Sequence, residues 1–170
     1  MRSIGFALVA ISCIAGCATG ASPYAGQQSR EIKSLSEDEV QGYLSGKGMG
    51  LAKPAELNGY PGPAHVLELG EKIGLTADQR RRTQAIFDVM QANAIALGRQ
   101  LVDEERALDR LFATKVVTSA SLAATLERIA SLQAKVRAAH LDAHLAQATI
   151  LTPSQADEYG RLRGYDGHRH

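Results

Sequence analysis

His140 and His144 stand four residues apart in a long Ala/Leu-rich run, so on a helix both imidazoles fall on one face, a turn apart. Two imidazoles at that spacing suit a single Zn, Ni, Co or Cu ion. With Val136 as reference, His140 lies about 40° round the helix and His144 about 80°, at roughly 100° per residue. Both therefore sit on or beside the apolar stripe rather than opposite it. His65 and Glu68 form a second pair, three residues apart on a shorter predicted helix. Folding the chain back at Lys115 to Thr118 brings Asp88 level with His144, which makes its carboxylate a further candidate ligand or ligand support. Bland alternatives compete with each reading. A His pair on an Ala-rich helix also arises by coincidence, and a His just after Pro-Gly-Pro is most often a capping or surface residue. His168 and His170 close a polar tail, residues 166–170, expected to be disordered.

No catalytic arrangement accompanies these residues. Neither Gly-x-Ser-x-Gly nor a Cys/His pairing occurs, and the paired carboxylates lie in charge-dense stretches where raised pKa values are not expected. The chain reads as a binding protein and not as an enzyme. Gly46-Lys47-Gly48-Met49-Gly50 superficially suggests a phosphate loop, but no apolar strand precedes it and the Gly-Lys-Ser/Thr ending is missing. It reads as a flexible linker.

The elements that must position the histidines are announced by a phrase used twice: Leu75-Thr76-Ala77-Asp78-Gln79 and Leu151-Thr152-Pro153-Ser154-Gln155. In each, the Thr caps a helix N-terminus and the Gln three residues on reaches back to the cap's own N–H. A long helix is expected from Thr76 to about Ala113, a second from Thr118 or Ser119 to about Ile150, and a short one from Thr152 to near Gly164. Ser36-Glu37-Asp38-Glu39 opens another short helix to about Gly46, and Pro63 and Gly74 bracket one over His65 to Ile73. No stretch has the alternation of a strand. The predicted class is all-α: a long antiparallel helical hairpin with short flanking helices. The second long helix carries one clear apolar stripe through Leu126, Ile129, Leu132 and Val136. Apolar residues spread more broadly round the first, so Leu97 and Leu101 are candidate contacts for an unfolded client or a second copy.

The N-terminus reads as an export signal over residues 1–16: Arg2, then a short apolar run from Ile4 to Ile14. It ends in Ile14-Ala15-Gly16-Cys17, which resembles the lipobox of bacterial lipoproteins, with Cys17 as the acylated residue. Cleavage after Ala18-Thr19-Gly20 is the alternative. Ala18 after the Cys implies, by resemblance, the outer membrane. Residues 17–62 read as a tether, a short helix and a Gly/Pro-rich linker, followed by a helical domain over 63–165. Losing Arg2 leaves 18 basic against 18 acidic residues, a net charge of zero that argues against a nucleic-acid binder. Cys13 leaves with the signal, so no thiol remains for a disulfide or a thiolate metal site.

With both boxes in an exported chain, residues Pro63 to Tyr165 resemble the Spy/CpxP, or LTxxQ, group of periplasmic helical proteins, which includes the heavy-metal-binding CnrX and ZraP branch. A run through Ala55-Glu56-Leu57-Asn58-Gly59-Tyr60-Pro61-Gly62-Pro63-Ala64-His65 looks like the marker of a subgroup. The resemblance implies a curved, dimeric protein facing the periplasm. It implies either transition-metal binding or ATP-independent holding of unfolded envelope proteins; a third role is as partner of a membrane-bound stress sensor. His65 with His140 and His144 loosely resembles the ligand distribution of the CnrX-like branch. The departure is that His144 occupies the place of a Met one turn after the late His.

Overall fold

The computed structural model describes residue 20 and residues 22–165; the expected leader, Cys17 and the 166–170 tail lie outside them. Among the described residues every regular element is a helix: α1 Glu37–Leu44, α2 Lys53–Glu56, α3 Pro63–Glu68, α4 Ala77–Ala113, α5 Ser119–Ala148 and α6 Pro153–Leu162. The long hairpin with short flanking helices is therefore the fold. α4 and α5 run antiparallel: Glu104 meets Arg128 at 2.9 Å toward the turn, and Gln79 reaches the Ile150 carbonyl at 2.9 Å at the open end. None of these helices is long and apolar enough to cross a membrane.

Local sequence explains the starts. Ser36/Glu39, Thr76/Gln79, Thr118/Ser121 and Thr152/Gln155 each form a complete capping box, satisfying two backbone donors that a helix end would otherwise leave orphaned. The predicted limits of α4, α5 and α6 hold to within two residues or so. Two details differ. α3 stops at Glu68 and the chain continues in turns to Gly74, and an additional single turn, α2, forms with Pro54 near its start.

Buried positions recur at three- and four-residue spacing on the facing sides of the hairpin, with Met90, Ala94, Gly98 and Leu101 on α4 and Ile129, Leu132, Val136 and His140 on α5. Leu101, Ile129, Leu132 and Val136 form the apolar core toward the turn, with Leu97 packed partly buried against it. This corrects the expectation for Leu101: at 1% exposure it is core and offers no surface to a client. The broad apolar spread on α4 has a different cause, because α1 covers a second side of that helix. Gly98 permits the approach, since a Cβ there would overlap the Tyr43 backbone carbonyl.

The Gly46–Gly50 stretch is also not a loose linker. Gly46 has φ 67°, and a Cβ on it would stand 3.0 Å from Ile95 Cγ1 and 3.2 Å from the Gln91 carbonyl, so the loop lies directly on α4. Toward the open end the buried faces turn polar, with His140 and Gln147 on α5 and Thr83 on α4. A second small core of Val66, Ile73 and Tyr159 joins α3 to α6.

Candidate functional site

In the open half of the hairpin, α3, the Gly46–Gly48 loop and the two long helices enclose a cavity of about 300 Å³ into which His65, His140 and His144 all contribute. α5 supplies two of the rings because positions 140 and 144 follow its buried stripe. α3 brings His65 from the other side, and α4 closes the cavity with Phe87, Met90 and Gln91.

His140 is 5% exposed and its Nε2 is buried with no hydrogen-bond partner. Burial pushes its pKa below the ordinary value, and the neighbouring His144 pushes in the same direction. The ring is therefore neutral near pH 7, the form in which an imidazole nitrogen donates a lone pair to a metal. His144 is oriented by the Tyr60 carbonyl oxygen, 2.7 Å from its Nδ1. A carbonyl only accepts, so Nδ1 carries the hydrogen and, in the neutral ring, Nε2 keeps the lone pair. Gly62 makes room for this ring: a Cβ there would lie 2.9 Å from Cε1 and 3.0 Å from Nε2. Gly48 faces His140 with more space, its added Cβ 3.8 Å from Nδ1. His65 stands at the rim with a side chain 41% exposed.

Two sequence candidates fall outside this group. Glu68 is exposed on α3 and does not line the cavity. Asp88 is exposed on α4 and accepts a hydrogen bond from Gln84 Nε2 at 2.7 Å. Phe87 takes the inward position, and the next residue is turned about 100° round the helix, which carries the Asp88 carboxylate away from the cavity.

The residue that sequence reasoning missed is Glu56. Its side chain, 11% exposed, stands directly behind two of the imidazoles, with Oε1 3.6 Å from His65 Nδ1 and Oε2 3.7 Å from His144 Nδ1. Oε2 also accepts from the Gly62 N–H at 3.1 Å. Oε1 accepts from the Tyr159 hydroxyl at 2.5 Å and the Tyr165 hydroxyl at 3.1 Å, and lies 3.5 Å from Arg163 Nε. Burial, then the bond to Glu56, pushes the Tyr159 phenol strongly up. The only local signal was the run of residues around it, which carried no assigned role.

Among the described residues no three or more His, Cys, Asp or Glu side chains already stand gathered at metal-holding spacing. The chemistry of the donors nonetheless fits a transition metal: a buried neutral imidazole with an unpartnered nitrogen, and a second imidazole whose other nitrogen is fixed by a backbone carbonyl. The capping residues Thr76, Gln79, Thr152 and Gln155 hold helix ends and each other, and none lines the cavity.

No curated protein and no solved structure matches the chain. A family model described as heavy-metal resistance matches residues 51–158, from the loop before α2 to within α6, in agreement with the metal-binding branch of the resemblance. That match spans well over half of the sequence, and the chain belongs to the heavy-metal resistance family.

Proposed function

We propose that the protein binds a transition metal ion, Zn, Ni, Co or Cu, through His140 and His144, with His65 joining from the rim. The observation that carries this reading is the convergence of three imidazoles on one cavity, with His140 Nε2 buried and unpartnered. A bound ion supplies a fixed positive charge where the protein's own buried ring is neutral. His140 and His144 donate, the Tyr60 carbonyl holds the tautomer of His144, and the Gly62 and Gly48 walls leave the rings their space.

The reading extends to a non-catalytic role in metal stress at the bacterial cell envelope, in a Spy/CpxP-like protein held to the outer membrane through an acylated Cys17. Titration of Zn, Ni, Co and Cu into the protein tests the site. Affinity is expected to fall sharply in His140→Ala and His144→Ala, and unchanged binding in the double variant removes this site from consideration. Membrane release in Cys17→Ser tests the anchor.

A second reading, an ATP-independent chaperone, has one specific observation in its favour. Ile86, Val89, Ala139 and Ala146 line an open apolar groove of about 440 Å³ between α4 and α5, with Val89 63% exposed. A homodimer would use the same groove, and a membrane-bound sensor is a further candidate partner. Substoichiometric suppression of client aggregation that Val89→Asp weakens would favour the chaperone, and suppression indifferent to that change would discard the groove.

A further inference from the structure

Glu56 stands in the wall between two hollows. On one side is the histidine cavity, whose lining contains no carboxylate among the described residues. On the other is a hollow of about 300 Å³ bounded by the α2 end, Tyr159 and Tyr165. The carboxylate is shared across that wall. Oε1 alone is within 2.5 Å of the Tyr159 hydroxyl, 3.1 Å of the Tyr165 hydroxyl, 3.5 Å of Arg163 Nε and 3.6 Å of His65 Nδ1. One oxygen has two lone-pair directions, and the two tyrosine hydroxyls take both on Oε1, so Oε1 turns to His65 only by giving up a tyrosine, while Oε2 already faces His144. The C-terminal partners form one unit: Arg163 Nε donates to the Tyr165 hydroxyl at 3.3 Å, and its guanidinium lies 5.8 Å from that ring's centroid.

We propose that Glu56 is a latch that couples the histidine cavity to the C-terminal segment, residues 153–165, so that divalent-cation loading and docking of that segment oppose each other. This rests on the metal-binding reading above. When the cavity holds positive charge, Glu56 is drawn toward His65 and His144 and Arg163 is repelled. Tyr159, 2% exposed, and Tyr165 then lose the acceptor that docks them. By linkage the effect is reciprocal: weakening the C-terminal claim on Glu56 must strengthen the cavity's hold on a cation.

Hydrogen exchange of the whole chain, with and without saturating zinc, reads the latch without any substitution. Amides of residues 153–165 are expected to exchange about fivefold faster with zinc, and Tyr165→Phe and Arg163→Gln are expected to tighten zinc binding by about the same factor. Zinc binding that leaves this exchange unchanged or slows it, or that is not tightened in either variant, overturns the latch and leaves the metal site standing. A chain that binds no zinc overturns both.

Discussion

Gln79 and Gln155 hydrogen-bond each other in both directions, Nε2 of each reaching Oε1 of the other at 2.8 and 2.9 Å. Each Oε1 also accepts from the backbone N–H of its own cap, Thr76 or Thr152, at 3.0 Å. The remaining amide hydrogens go to the Ile150 carbonyl at 2.9 Å and the Gly74 carbonyl at 3.0 Å. The doubled phrase is therefore a single joint, in which two capping boxes lock the start of α4 to the start of α6 and close the open end of the hairpin below the histidines.

That joint predicts non-additivity. Gln79→Ala and Gln155→Ala each break a cap, and the double variant can lose the shared pair only once. A double-mutant cycle by urea denaturation is expected to give a coupling of about 1 kcal/mol. Strictly additive losses would mean that the two boxes act independently.

Gly98 predicts a steric cost. An Ala there pushes against the Tyr43 backbone, which cannot step aside as a flexible side chain would. Gly98→Ala is expected to lower stability by about 1–3 kcal/mol, the usual range for overpacking, despite Ala's better helix propensity. A gain in stability would show that α1 is not seated on α4 in solution.

What the sequence made legible was local. Thr76, Gln79, Thr118 and Thr152 announce helix starts through bonds three residues long, and the spacing of Ile129, Leu132 and Val136 declares the buried face of α5. His140 and His144 could be placed on that face by angle alone. Glu56 could not, because its partners lie up to 109 residues away and no period links them. Asp88 failed by azimuth rather than height: its rank along α4 follows from the hairpin turn, but which residue faces inward is set by packing. Leu101 was misjudged because it faces Ile129, Leu132 and Val136 across the hairpin, and the Gly46–Gly50 loop for another reason. The cover that α1 and its following loop give α4 depends on close approach at Gly98 and Gly46, and a glycine's tight contact is not written in its neighbours.

The depressed pKa of His140 gives a pH signature in the metal-free protein. Below its ordinary value of 6.5, the unfolded chain binds a proton there that the folded chain resists. Stability is thus fully present above that value and is lost as the pH falls toward the folded pKa. The denaturation midpoint is expected to drop as the pH falls below about 6.5, and His140→Leu to flatten that slope. Glu39, held low by its hydrogen bonds to Ser36, titrates below the ordinary carboxylate range and so on the acid side of an ordinary histidine. A slope that survives in His140→Leu would assign it to another group.

Gly62 and Gly48 allow the cavity to be tested without touching a ligand. Gly62 has φ −83° and ψ 140°, a conformation any residue adopts, so Gly62→Ala carries no backbone strain. Its added methyl stands 2.9 Å from His144 Cε1 and 3.0 Å from Nε2, tighter than van der Waals contact permits, so the ring must leave the position in which the Tyr60 carbonyl fixes its tautomer. Loss of such an orienting bond typically costs 10–100-fold in metal affinity, so zinc binding is expected to weaken by about tenfold while helix content stays unchanged. Gly48→Ala places its methyl at an ordinary 3.8 Å from His140 and should bind zinc nearly as the parent does. Isothermal titration of the two variants side by side decides the point. Equal affinities would show that the orientation of His144 does not matter to the site, and a larger loss in Gly48→Ala would move the centre of binding to His140 alone.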